Sequence, residues 1–137
     1  DVCSSDLVHA VARMGGVIYL QKYIRHPGHD LRVFVVGDRV IGAIRRVASV
    51  HEWRTNVALG GRATPWNCDK DEARLSLEAA RSVGARIAGV DLMWDPARDG
   101  YVVIEVNAVP GWKALSAATG VDVAATLIHE LLRDARR

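Results

Sequence analysis

Two β-rich runs, residues 31–36 and 39–47, are separated only by Gly37-Asp38, and this spacing constrains the fold more than any other feature of the chain. Two residues allow only a reversal into an antiparallel neighbour. Glycine at the first central position suits the tight turns whose twist matches paired strands. Pairing Val36 with Arg39 sets Arg32 opposite Ala43 and Asp30 opposite Arg45. Alternate side chains share a face, so Asp30, Arg32 and Arg45 are expected together on one side of the hairpin.

A second pair of runs, residues 87–94 and 101–107, flanks the turn-forming Asp95-Pro96-Ala97-Arg98-Asp99-Gly100. Strand alternation directs Tyr101, Val103, Glu105 and Asn107 one way and Val102, Ile104 and Val106 the other. A register centred on Arg98 sets Asp91 opposite Glu105, with side chains about 5 Å apart. Two carboxylates facing each other between apolar strands repel, and a divalent cation removes the conflict. Asp91, Glu105 and the Asn107 amide oxygen are hard ligands suited to Mg²⁺ or Mn²⁺ shared with phosphate oxygens. The competing arrangement has Asp91 solvated and Glu105 paired with an arginine, and spacing alone leaves both open.

Elsewhere the pattern predicts a strand over 17–24, ended by His26-Pro27-Gly28, and a long loop over 51–66. Asp69 can cap a helix in which Glu72 completes a capping box, Ala73, Leu77 and Ala80 form the apolar stripe, and Gly84 ends the run. A last helix is expected over 122–135, with Ala124, Leu127, Ile128, Leu131 and Leu132 on one face. Three strands, a helix, two strands and a helix imply an α+β fold, with helices packed on a mainly antiparallel sheet. At 137 residues there is room for one domain. The net charge of +2 comes with scattered arginines rather than a basic block, which argues against a nucleic-acid partner. No apolar run reaches the roughly eighteen residues of a membrane span. Cys3 and Cys68 lie far apart, consistent with a reduced, cytoplasmic chain, and no Ser-His-Asp or Cys-His nucleophile arrangement is evident.

Gly89-Val90-Asp91-Leu92-Met93, followed by Ile104-Glu105-Val106-Asn107-Ala108-Val109-Pro110-Gly111, resembles the metal-binding signature of ATP-grasp ligases. It is similar in particular to the RimK-type branch, which adds glutamate or related amino acids to a carboxyl acceptor. Leu20-Gln21-Lys22-Tyr23-Ile24, the segment 30–38, Trp53-Arg54-Thr55-Asn56 and the segment 119–124 match further pieces in the family's order. The resemblance implies an ATP-grasp C-terminal subdomain over 8–137. Residues 1–7 read as non-native or disordered, and the N-terminal domain and phosphate-covering lobe are expected to lie outside the chain.

The resemblance also implies roles. Lys22 and Tyr23 match a hinge beside the adenine, Asp30 a position near the ribose, and Arg54, Thr55 and Asn56 a loop at the phosphates. Asp91, Glu105 and Asn107 match ligands of two Mg²⁺ or Mn²⁺ ions. Arg32 and Arg45, on their shared face, are candidates for binding phosphate or acceptor. The implied chemistry is ADP-forming ligation through an acyl phosphate, with ATP, glutamate and a carboxyl acceptor as partners, in an enzyme expected to be a homo-oligomer when full-length. Val109 and the following Trp112-Lys113-Ala114-Leu115 resemble the glutamate ligases of pterin-type cofactors, with a protein C-terminus, a ribosomal protein or an amino-acid carrier as the neighbouring readings. Trp112 could stack on an aromatic acceptor or simply pack at the rim. A nucleotide-binding module without chemistry is the alternative from another class, and the isolated chain is expected to be inactive.

Overall fold

The computed structural model describes residues 4–25, 27–48 and 62–135. They form α1 (Ser4–Arg13), β1 (His29–Val36), β2 (Arg39–Val47), β3 (Arg62–Trp66), α2 (Lys70–Ser82), β4 (Ile87–Asp95), β5 (Gly100–Asn107), α3 (Lys113–Thr119) and α4 (Val123–Asp134). The strands make one sheet in the order β3-β2-β1-β4-β5, with every neighbour antiparallel. The architecture is α+β, as the patterning implied.

Both expected hairpins are present, and each contains a one-residue slip. Between β1 and β2, Val36 pairs with Arg39 and Val35 with Val40, but Phe34 pairs with Gly42, leaving Ile41 as the extra residue. Beyond the slip Asp30 opposes Arg46, and Arg45 opposes Leu31 instead. Between β4 and β5 the pair Asp91–Glu105 is present as expected, while Leu92 pairs with Val103 and Ile104 is the extra residue. Tyr101 and Val103 therefore pack in the same cluster as Val106, not on the face of Glu105. An extra residue reverses the in–out order of everything on its far side.

The sheet buries apolar side chains on both faces. On one, Leu31, Val33, Val35, Ala43, Ala88, Val90 and Leu92 meet Leu75, Leu77, Ala79 and Ala80 of α2. The capping box expected at the start of α2 is formed: Asp69 accepts from the Glu72 amide at 2.8 Å, and Glu72 accepts from the Asp69 amide at 3.0 Å. On the other face, Phe34, Val36 and Ile44 meet Leu115 of α3 and Val123 of α4. This second layer covers only part of the face. Toward the opposite end of β1, β2 and β4 the residues on that face become Asp30, Arg32, Arg46 and Asp91.

Several expectations are corrected. Residues 17–24 form no strand, and Val17, Tyr19 and Leu20 are largely exposed. β-propensity makes a strand only where another strand pairs with it, and none of the five described strands pairs with this segment. The segment expected to be loop over 51–66 ends in the edge strand β3, and its earlier part lies outside the described residues. Helix α3 was not anticipated. In α4 the packing residues are Val123 and Leu127, whereas Ile128, Leu131 and Leu132 are more than half exposed. Among the described residues no single helix is long and apolar enough to cross a membrane.

Gly37 ties the β1–β2 turn to α4. Its φ is +61°, and the space where a Cβ would sit is occupied by the carboxylate of Glu130. Glu130 is itself buried, accepting from Arg86 at 3.1 Å and Arg133 at 2.6 Å. Gly37→Ala adds left-handed strain to a clash with an anchored carboxylate. It is expected to destabilise the fold by about 1–3 kcal/mol. The check is urea denaturation, in which the midpoint falls while the slope stays constant.

Candidate functional site

Four side chains of alternating charge cross β2, β1 and β4 on the polar part of the second face. Arg32 Nε and Nη2 donate to Asp91 Oδ1 and Oδ2, both at 2.8 Å. Arg46 Nη2 also reaches Asp91 Oδ2, at 2.9 Å. Arg46 then donates Nε and Nη2 to Asp30 Oδ1 and Oδ2 at 2.7 and 2.5 Å. The row runs Arg32, Asp91, Arg46, Asp30, with no net charge. It forms because cross-strand register sets Arg32 opposite Asp91 and Asp30 opposite Arg46.

Burial makes the pairing obligatory. The side chains of Arg46, Asp30 and Asp91 are 7%, 7% and 9% exposed, and that of Arg32 is 19%. Desolvation alone would lower the pKa of Arg46. The hydrogen bond to Asp30 and the charges of Asp91 and Asp30 outweigh it, and the pKa is raised. Arg46 is therefore a permanent cation.

Next to this row lies a set of hard oxygen donors. Asp91 faces Glu105 across β4–β5, and Asn107, two residues further along β5, faces Gly89. Glu105 is exposed, and Asn107 Oδ1 accepts from the Val109 amide at 2.9 Å. Among the described residues no three His, Cys, Asp or Glu side chains gather around one point. The donor chemistry nonetheless fits a hard cation, because two opposed carboxylates and an amide oxygen leave coordination positions for phosphate or water oxygens.

A cleft of about 410 Å³ opens beside the row, lined by Arg32, Ile44, Arg46, Gly111, Trp112, Lys113 and Ala114. Gly89 allows the chain after β5 to fold over the sheet here. A Cβ at that position would lie 2.8 Å from Pro110 Cβ, and 3.7 Å from Arg32 Cδ and Nε. The cleft is cationic on one side and bounded by indole on the other, a combination suited to an anionic ligand with some flat surface.

Of the residues singled out in the sequence, the structure brings together Asp30, Arg32, Asp91, Glu105 and Asn107 on one face. Arg45 is not among them. The slip at Ile41 turns it to the opposite face, where Nη2 lies 3.3 Å from His29 Nδ1 and the buried Nε has no hydrogen-bond partner among the described residues. Arg46, which the sequence reading missed, takes its place. Only the doublet Arg45-Arg46 hinted at it, since either residue could face Asp30. Lys22 and Tyr23 lie in the exposed segment before β1, and Arg54, Thr55 and Asn56 lie outside the described residues. Cys68 packs beside α2, where burial, with the charges of Glu72 and Asp69, pushes its thiol up to about 12. It stays protonated and unsuited to nucleophilic work.

Comparison with known proteins places this geometry in context. Residues 4–131 match the RimK-like ATP-grasp domain. A protein of Xanthomonas euvesicatoria pv. vesicatoria named "Probable alpha-L-glutamate ligase" is 37% identical over 135 residues, covering 98% of this chain and 45% of the relative. The chain thus spans about half the length of the curated relatives it matches. The ATP-grasp ligase PsnB, solved with a phosphomimetic variant of its minimal precursor, Mg and ADP, superimposes with a TM-score of 0.64 at 21% identity, over 96% of this chain and 50% of PsnB. A RiPP-associated ATP-grasp ligase of Chryseobacterium gregarium, in complex with ADP and a leader and core peptide, gives a TM-score of 0.64 at 26% identity, over 84% of this chain and 35% of that one.

The charge row predicts a non-additive pair of substitutions. Asp91→Ala strands two guanidiniums against a mostly buried surface and is expected to lower stability by about 3–5 kcal/mol. Arg32→Met combined with Asp91→Leu leaves the Asp30–Arg46 pair balanced and is expected to recover more than half of that loss. Denaturant unfolding of the two variants and the parent measures both quantities. A double variant no more stable than Asp91→Ala would show that the row is not the source of the penalty.

Proposed function

Because this chain belongs to the RimK-like ATP-grasp family, we propose that it carries the cation-binding half of an ATP-dependent carboxylate–amine ligase that joins glutamate to a carboxyl acceptor. The observation that carries the proposal is the facing pair Asp91–Glu105, set beside the buried Arg46 and the partly buried Arg32 at the edge of a cleft. Glutamate as the amine is supported by the glutamate-ligase name of the Xanthomonas relative. ATP with a divalent cation is supported by the family match and by the hard-oxygen character of the donor set.

The chemistry starts from a carboxylate, a poor acyl donor because its oxygen is a bad leaving group. An acceptor carboxylate oxygen attacks the γ-phosphorus of ATP, the bond from that phosphorus to the β-phosphate oxygen breaks, and ADP departs with the bonding pair as the acyl phosphate forms. The glutamate amine then attacks the acyl carbon, and inorganic phosphate departs with the C–O bonding pair as the amine loses its proton. Mg²⁺ or Mn²⁺, one ion or two, held by Asp91, Glu105 and Asn107, would neutralise charge on the phosphates. Arg46, fixed by Asp30, presents a permanent positive charge to the cleft. Arg32 presents a planar fork of donors suited to phosphate or acyl oxygens. Trp112 and Lys113 bound the space left for the acceptor, either a pterin-type cofactor or a protein C-terminus. Lys22, Tyr23, Asp30, Arg54, Thr55 and Asn56 are assigned to the nucleotide.

The 137-residue chain alone is expected to turn over little ATP. The full-length enzyme should release ADP and phosphate in equal amounts, and only with glutamate and an acceptor present. Glu105→Ala is expected to lower that turnover about a hundredfold or more, by analogy with removal of one group stabilising transition-state charge. Turnover unaffected by Glu105→Ala would overturn the cation assignment. Release of AMP and pyrophosphate would overturn the acyl-phosphate route.

A further inference from the structure

We propose that Arg32 is an exchangeable side chain, held by Asp91 until a cation binds there and then transferred to an anionic ligand in the cleft, so that cation and anion strengthen each other's binding. The inference rests on the cation assignment above and goes beyond it by naming the residue that couples the two ligands.

Among the described residues, Asp91 is the member of the donor set that has cationic partners. Both of its oxygens accept hydrogen bonds from guanidiniums, Oδ1 from Arg32 and Oδ2 from Arg32 and Arg46. A divalent ion at Asp91 would place two positive charges beside two more within hydrogen-bonding range, and like charges at that separation repel strongly in a buried setting. One guanidinium must yield.

The structure indicates which one. Arg46 keeps a bidentate partner in Asp30 whatever happens to Asp91, and its side chain is only 7% exposed. Asp91 is the carboxylate that Arg32 holds, and Arg32 is the more exposed of the two at 19%. Arg32 also lines the cleft with Trp112 and Lys113. A guanidinium released from one carboxylate gains most by clasping another planar anion, and the cleft is the adjacent space in which to find one. The ligand class is therefore an anionic oxygen fork, either a carboxylate or a phosphate.

The coupling can be measured without turnover. Free Mn²⁺ is followed by electron paramagnetic resonance during titration of the full chain, alone and with saturating glutarate or methyl phosphate. Glutarate represents a carboxylate ligand and methyl phosphate a phosphoryl ligand. In the parent protein at least one anion is expected to tighten Mn²⁺ binding about tenfold, with a reciprocal effect of Mn²⁺ on that anion. The stronger arm identifies the ligand type. Arg32→Met removes the competitor, so it should bind Mn²⁺ more tightly than the parent without anion and show no response to either anion. Arg32→Lys, which keeps the charge but not the fork, should retain part of the response and guards against a folding defect in the methionine variant. If neither anion affects the parent, or if Arg32→Met binds Mn²⁺ no better than the parent, the exchange does not occur. If the parent fails to bind Mn²⁺ at all, the cation assignment falls and takes this proposal with it.

Discussion

The row Arg32–Asp91–Arg46–Asp30 is held together by burial as much as by charge, and the second face of the sheet is organised around it. Each ion has lost most of its water, so each needs an opposite partner at hydrogen-bonding distance. That requirement fixes how β1, β2 and β4 stand against one another. A one-residue shift of β4 would place Val90 or Leu92 opposite Arg32 in place of Asp91. The slip at Ile41 is the clearest consequence, since it is what sets Asp30 opposite Arg46.

The row also marks where the helical layer ends. Leu115, Val123 and Leu127 cover Phe34, Val36 and Ile44, an apolar surface that gains by losing water. The ions beyond them would lose hydration under an apolar helix without gaining partners. The chain following β5 instead crosses at Gly89 with Pro110 and opens into the cleft bounded by Trp112 and Lys113. The packing that leaves the ions uncovered thus also produces the cleft.

Much of this was readable in the residues, and the failures share a cause. The capping box of Asp69 and Glu72 and the turn at Gly37 were legible because both are local, decided by residues within three positions. The facing of Asp91 and Glu105 was legible for a less secure reason. The hairpin runs one residue off the expected register at Asp95–Gly100, and the slip at Ile104 restores it before Asp91 is reached. The corresponding slip at Ile41 had the opposite effect and exchanged Arg45 for Arg46. No composition signal distinguishes these cases, because a bulge is selected by what the distant strand must bury. In the same way, the periodicity of α4 identified an apolar face at Ala124, Leu127, Ile128, Leu131 and Leu132, yet the sheet is met by Leu127 together with Val123, and Ile128, Leu131 and Leu132 are more than half exposed. Spacing shows that a face exists and not which surface it meets.

Stability alone does not account for three buried charges and a fourth, Arg32, that is partly buried. Replacing a buried ion pair by well-packed apolar residues is commonly neutral or stabilising by about 1–4 kcal/mol, so a sheet selected only for stability could carry leucine and methionine at these positions. The ions also sit where the helical layer stops, next to Glu105, the carboxylate that faces Asp91 across β4–β5. Uncovered ions beside a cleft can exchange partners, whereas ions under a packed helix cannot. Two of the four are fixed: Asp30 and Arg46 hold each other bidentately at the more buried end. The other two meet the cleft and the hard-oxygen set. A row that is rigid at one end and exchangeable at the other would hold Asp91 in place ahead of the proposed cation and still release it.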